Sequence, residues 1–293
     1  MQIPNVLLAG STGYLGGYLA RELHKNKIPT RLLARNPEKV PPDDPGLGVT
    51  IAEVTQPETL AGCMHEIDIV ISTIGITRQN DGLRYIDVDF QANMNLLREA
   101  RISGVKRFIY VASLHGDKLQ HLKICEAKEK FVDALKASGM DYTIVRPNGF
   151  FSDLGEFLKM AQKGRIFLPG DGNKRLNPIH GADLAEAMIS LLLHPAKEFN
   201  IGGPEIFTQN QIAQMCFAIA GKQSKVTYVP NWLRKGILFV LRTFTSSRIY
   251  GPYEFFLTTL AMDMIAPPFG KRKLQDYLEQ LTEQTKTEIP NHL

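Results

Sequence analysis

Cysteine is scarce in this sequence. The three present, Cys63, Cys125 and Cys216, are odd in number, far apart and without a CxxC pair. That argues for reduced thiols in a cytoplasmic setting and against both a disulfide framework and a zinc site. Strong charge of one sign is also lacking. Net charge is +4, and the basic residues are spread along the chain rather than gathered in a tail, so nucleic acid is not an expected partner. No apolar run is long enough to cross a bilayer. The longest near the C-terminus is ILFVL, against roughly 20 residues for a spanning helix. The opening MQIPNVLLAGSTG has neither a basic n-region nor a long apolar core, which predicts no signal peptide. Metal-ligand spacings, internal repeats and low-complexity tracts are absent, and the expectation is a soluble cytoplasmic protein. One local absence stands out: residues 206–253 contain no Asp or Glu.

What the chain has in quantity is apolar β-type runs alternating with amphipathic helical stretches. With 293 residues at 44% hydrophobic, it can bury one large α/β core, with or without a smaller lobe. NVLLAG (5–10), TRLLAR (30–35), VTIAEV (49–54), DIVISTIG (68–75), RFIYVAS (107–113) and DYTIVRP (141–147) read as strands. Helical stretches lie between them, including a long one from Tyr85 to Arg101. Strands this apolar indicate a parallel sheet covered on both faces, and right-handed crossovers make it doubly wound. PPDDPG at 41–46 reads as a turn-rich loop. After Pro147 the pattern turns irregular, so residues 1–147 are expected to form a Rossmann core and 148–293 a small substrate-side lobe, interleaved with it and without a linker.

The first strand runs into AGSTGYLGG, which places Gly10, Gly13 and Gly16 at three-residue spacing before a helix. The first glycine allows a tight turn, the second lets the backbone approach a pyrophosphate, and the third lets the helix pack on the strand. The helix N-terminus supplies free N–H groups and positive dipole. The second strand ends LLARNPEK, with Arg35 where an NAD-binding chain places an acid for the ribose 2′-hydroxyl, and Lys39 close behind. A guanidinium suits a 2′-phosphate, so the expected cofactor is NADP.

One residue looks out of place. Wound at the helical period, LKICEAKEKFVDALK (122–136) puts Ile124, Cys125, Phe131, Val132 and Leu135 on one apolar stripe, with Lys128 among them. A buried ammonium is costly unless something pairs with it, so Lys128 is expected either to meet a partner or to snorkel to water.

Together these residues resemble the short-chain dehydrogenase/reductase superfamily, in its atypical, NmrA-like or isoflavone-reductase-like branch. The matching stretches are GSTGYLG, LLARNPEK, AEVTQPETL, VDFQANMNLLREARISGVKRFIYVAS, RPNGFF, IHGADLAEA and NIGGPE. They cover about residues 3 to 220; the last seventy or so match only loosely. The resemblance implies that Gly10, Ser11, Thr12, Gly13, Tyr14, Leu15 and Gly16 hold the pyrophosphate, and that Glu53 and Val54 flank the adenine. It implies that Ser72, Thr73, Ile74 and Gly75 line the cofactor, and that Pro147 and Asn148 face the nicotinamide. Ser113 stands at the family's active-site serine and Lys128 at the lysine of its Tyr-x-x-x-Lys motif, where its amine would donate to the nicotinamide-ribose hydroxyls. Ile124 stands where the proton-donating tyrosine belongs. A serine and a lysine remain without the usual acid.

The resulting expectation is an NADP(H)-dependent oxidoreductase, a reductase of a small or medium-sized apolar, lipophilic substrate. The alternative is a cofactor-binding sensor, regulator or assembly protein without turnover. His115 and His121 read as loop or helix-start residues, and His180 with Asp183 as a helix N-terminus. The basic stretch NWLRKGILFVLRTF, within 231–250, has the look of a membrane-surface helix. Its apolar residues go nearly all round, which favours burial as a lid over the substrate instead.

Overall fold

The computed structural model describes residues 3–36, 38, 47–76 and 82–287. Lys39 and the PPDDPG loop lie outside them. The chain runs β1 (Val6–Ala9), α1 (Tyr14–Lys25), β2 (Thr30–Ala34), β3 (Leu47–Ile51) and β4 (Ile69–Ser72). A π-helical segment, Ile86–Ala92, leads into α2 (Asn93–Ile102), followed by β5 (Arg107–Val111), α3 (Lys123–Ala137) and β6 (Asp141–Pro147). Then come α4 (Gly155–Gln162), β7 (Ile166–Pro169), β8 (Arg175–Leu176), α5 (Gly181–Leu193) and β9 (Glu198–Ile201). The remainder is β10 (Phe207–Thr208), α6 (Gln209–Ala220), β11 (Val226–Val229), α7 (Asn231–Phe244), α8 (Ser247–Thr259) and α9 (Leu274–Thr287).

Seven strands form one sheet in the order β3-β2-β1-β4-β5-β6-β9. The order reverses direction at β1, as in doubly wound dinucleotide-binding sheets. Val6 registers with Thr30 on one side and Ile69 on the other, both in parallel. At the far edge, Ile144 and Asn148 donate backbone N–H groups to Lys197 and Ile201, a rise in step that makes β9 parallel too. Strands buried on both faces explain the unbroken VLLA and IVIS runs. The core between sheet and helices is built from Leu7, Val70, Phe108, Tyr110, Phe131 and Leu135, among others.

The chain divides into two compact units, residues 1–146 with 184–200, and residues 147–183 with 201–293. The second has its own core, in which Phe151, Phe157, Ile166, Ile212, Phe217 and Leu278 are buried together.

Three expectations are corrected. The third strand spans Leu47–Ile51 rather than 49–54, because among the described residues its sheet neighbour is β2 alone, and the ladder stops where β2 stops, at the bond from Ala52 N–H to Ala34. The single helix expected from Tyr85 to Arg101 opens with a π-helical turn, a form found frequently at functional sites. The apolar residues of α7 are not buried. Leu238 alone of them is, while Trp232, Phe239 and Phe244 are 73%, 71% and 79% exposed, so the physical ground for expecting a packed lid is gone.

Candidate functional site

The turn between β1 and α1 is drawn tight by a hydrogen bond from Gly13 N–H to the Gly10 carbonyl, 3.0 Å. Gly10 has φ +89°, a left-handed conformation that L side chains rarely adopt. A Cβ at Gly16 would lie 2.0 Å from the Gly10 carbonyl oxygen, so α1 can approach the turn this closely only with glycine there. Gly13 caps α1 with no side-chain hydrogen bond, and the first turn of α1 holds no acid. No acid in that first turn offsets the positive end of the helix dipole, which suits a pyrophosphate. Beside this turn, Thr73 Oγ1 donates to the carbonyls of Ala9 and Gly10, and buried Ser11 donates to Leu33 O. Thr12, Gly13 and Tyr14 are exposed, whereas Leu15 is buried against the core.

At the ends of β2 and β3, Arg35 Nε and Glu53 Oε2 lie 3.6 Å apart, joining the residue chosen for a 2′-phosphate to one chosen for the adenine. Val54 is buried, and its carbonyl accepts from the side chain of buried Asn95. Ser72 donates to Asn93, whose own amide donates to Asp89 O.

Lys128 meets Asp89. Its Nζ lies 2.8 Å from Asp89 Oδ1, with side chains 12% and 0% exposed. Asp89 is the partner that burial of the ammonium calls for, so the lysine does not depend on snorkelling to open water. The Tyr110 ring centroid lies 5.6 Å from the same nitrogen, and Asp89 Oδ2 accepts from Ile76 N–H. Burial works against the ammonium, but the Asp89 carboxylate and the Tyr110 hydroxyl outweigh it and hold the Lys128 pKa above its ordinary value. Burial likewise pushes the Asp89 carboxyl and the Tyr110 hydroxyl up, against the opposing pull of Lys128. A Cβ at Gly75 would sit 2.6 Å from Lys128 Nζ and 2.7 Å from Asp89 Oδ1. The exposed Gly75 backbone is thus what the ion pair lies against, and it links the Ser72–Gly75 segment to the lysine.

Ser113 is half-buried after β5, and its carbonyl is anchored by Arg146 Nη1 at 3.2 Å. Arg146 also makes a bidentate pair with buried Glu129, at 2.6 and 2.8 Å, and reaches Glu198, which Lys136 pairs from the other side. Ile124 is buried and offers no proton. Pro147 and Asn148 belong to the second unit, where the Asn148 amide donates to Asn177 and to Met264 O. Asp183 is buried and accepts from the backbone of Lys271 and Arg272, so it anchors that loop rather than the dipole of α5 alone. The Ala182 N–H donates to His180 Nδ1 at the start of α5. No group of His, Cys, Asp or Glu suited to a metal occurs among the described residues.

Asp89, Asn93, Asn95, Glu129 and Arg146 are the polar residues that sequence reasoning missed. A signal existed for two of them: Asp89 and Asn93 are four apart on the stripe that carries Ala92, Leu96 and Ala100.

A glycine cradle at the β1–α1 turn of a sheet in this order points to a dinucleotide. Residues 10–195, more than half of the chain, match the family model described as NAD(P)H-binding. The chain belongs to the NAD(P)H-binding family. It is 25% identical over 232 residues to the photosystem II assembly factor Ycf39 of Guillardia theta, covering 77% of this chain and 73% of that one. It is 24% identical over 317 residues to the chloroplastic divinyl chlorophyllide a 8-vinyl-reductase of Cucumis sativus, covering 94% and 76%. Its fold is shared with the NADPH-dependent quinone oxidoreductase QOR2 of Escherichia coli, crystallised with NADPH, at TM-score 0.70 and 18% identity over 94% of this chain and 99% of that one. Its relatives in sequence thus include a protein named as a reductase and one named as an assembly factor. The described residues contain no helix long and apolar enough to cross a membrane.

Proposed function

We propose that the chain is an NADP(H)-dependent reductase of a small or medium-sized apolar substrate, in which Lys128 works as a fixed positive charge rather than as an acid. The observation that carries this reading is the Lys128–Asp89 pair, buried and lying against the Gly75 backbone beside the glycine turn. NADPH, when bound, supplies the hydride. The α1 N-terminus receives the phosphates, Arg35 the 2′-phosphate, and the Ser72–Gly75 segment runs alongside the cofactor. Lys128, locked as an ammonium, stabilises negative charge developing on a substrate oxygen. It releases no proton near neutral pH, and with Ile124 in the tyrosine position the proton comes from solvent, directly or relayed through Ser113. The named vinyl reductase and quinone oxidoreductase among its relatives and fold neighbours support reduction of an unsaturated, lipophilic compound.

A second reading is a cofactor-responsive assembly protein without turnover. It is favoured by the buried Ile124 and by the relative named as an assembly factor.

Titration of NADPH and NADH against the wild type and Arg35→Glu tests the cofactor assignment. Arg35 is more than half exposed, so the expected loss of NADPH affinity is about tenfold, the low end for a charge-assisted hydrogen bond. NADH affinity should hold or improve. Equal wild-type affinity for the two nucleotides would remove the argument. NADPH oxidation measured with quinones and enones then separates the readings, since tight binding without turnover on any of them favours the second.

A further inference from the structure

At 100° per residue, Phe239, Trp232, Val240, Leu233, Phe244 and Ile237 of α7 span an arc of about 160°. All six are exposed. The opposite side of the helix carries Arg234, Leu238 and Leu241, which are buried or half-buried. Ile249 and Tyr253 at the start of α8 add to the exposed apolar surface. A helix that turns its apolar side outward is the reverse of what packing within the chain would produce.

The charge along α7 and the start of α8 is of one sign. Residues 206–253 hold no acid, and the next one, Glu254, is buried and accepts from Arg242. Lys235 of α7 and Arg248 of α8 are exposed. Lys235 and Arg242 sit at the edge of the arc, next to Phe239, where long cationic side chains of an interfacial helix reach headgroups while the aromatics enter the acyl boundary.

We infer that α7, with the start of α8, docks the protein on an anionic lipid surface. Two other occupants fit less well. A second copy would set two acid-free cationic faces against each other. A polypeptide groove would need concavity, and this surface is the convex side of one helix. The inference is independent of whether the chain turns over NADPH.

Trp232 is the only tryptophan in the chain, so its emission reports on this face without a label. The full chain is titrated with vesicles of phosphatidylcholine alone and with phosphatidylglycerol added, at low and high salt. A blue shift confined to the anionic vesicles and reversed by salt is the expected result. Phe239→Ser combined with Phe244→Ser should weaken partitioning by on the order of tenfold or more at an unchanged melting temperature, both side chains being exposed. Lys235→Gln and Arg248→Gln should each weaken it roughly fivefold. No shift on any vesicle, or the same shift on neutral and anionic vesicles, would overturn the inference. So would lipid-independent self-association that buries Trp232, or an equal shift with polyglutamate, which would give the face to a second copy or to an acidic polypeptide.

Discussion

Replacing Lys128 by Met removes one half of an ion pair whose other half, Asp89, is fully buried. Breaking a buried pair by deleting one partner costs about 3–5 kcal/mol, because a charge is left without compensation. In a chain of this size that lowers the melting temperature by roughly 6–12 °C. Lys128→Met with Asp89→Asn should recover most of the loss, to within about 1–2 kcal/mol of wild type, since the amide oxygen can still accept from Ile76 N–H. The pH dependence has a definite sign. In the single variant, burial raises the folded pKa of Asp89 above the unfolded value of about 3.9. The folded state then holds the proton more tightly, and the deficit grows as pH rises above that value and closes as pH falls towards it. In the wild type, the raised pKa of Lys128 makes its contribution complete below about 10.4 and lost only at higher pH, while the raised pKa of Asp89 takes stability away as pH rises above about 3.9, the same sign as in the single variant. Urea denaturation of the four proteins of this cycle, at several pH values, measures all of it. A destabilisation of Lys128→Met below about 1 kcal/mol, or no rescue by Asp89→Asn, would refute the pairing as the reason the lysine tolerates burial. The double variant is also the better test of nucleotide contact, because any loss of NADPH affinity in it is free of the stranded carboxylate.

Two further perturbations address the turn and the second unit. Gly16→Ala puts a methyl group 2.0 Å from the Gly10 carbonyl oxygen and should cost on the order of 1–3 kcal/mol while lowering NADPH affinity at least tenfold; wild-type affinity in calorimetric titration would show that the α1–turn approach does not matter for binding. Burial and, after it, Arg272 hold the His180 pKa below 6.5, so its stabilising contribution is present above that value and lost as pH falls through the depressed one. His180→Asn keeps an acceptor for Ala182 N–H and should flatten the pH dependence of the melting temperature between pH 7 and 5; an unchanged slope would place the titration elsewhere.

The sheet and the glycine turn were legible because their signals are local. A continuous apolar run means a strand covered on both faces, and a glycine triplet following one means a turn that a Cβ would block. The lysine on the α3 stripe was legible as a problem but not as a solution. Its partner lies 39 residues earlier, in a segment whose π-helical winding shifts side chains off the 3.6-residue period that sequence reading assumes. Glu129 was missed for a related reason: its neutralising Arg146 is on a strand, and nothing in the α3 pattern reveals a cation arriving from the sheet. The α7 apolar residues misled in the opposite direction. Their all-round distribution is the same whether a helix is enclosed by protein or offered outward, and only the three-dimensional exposure tells the two apart.

The chain passes from the first unit to the second after Arg146, returns at Leu184 and leaves again after Asn200. During synthesis, β6 therefore emerges with its outer edge open, and β9, which closes that edge, follows more than fifty residues later. At ribosomal rates that interval is roughly 3–10 s. For its duration, a nascent chain presents a nearly finished parallel sheet whose β6 margin is unpaired, besides the β3 edge, to any other strand in reach. Slow translation between residues 147 and 200 would lengthen the exposure and favour aggregation.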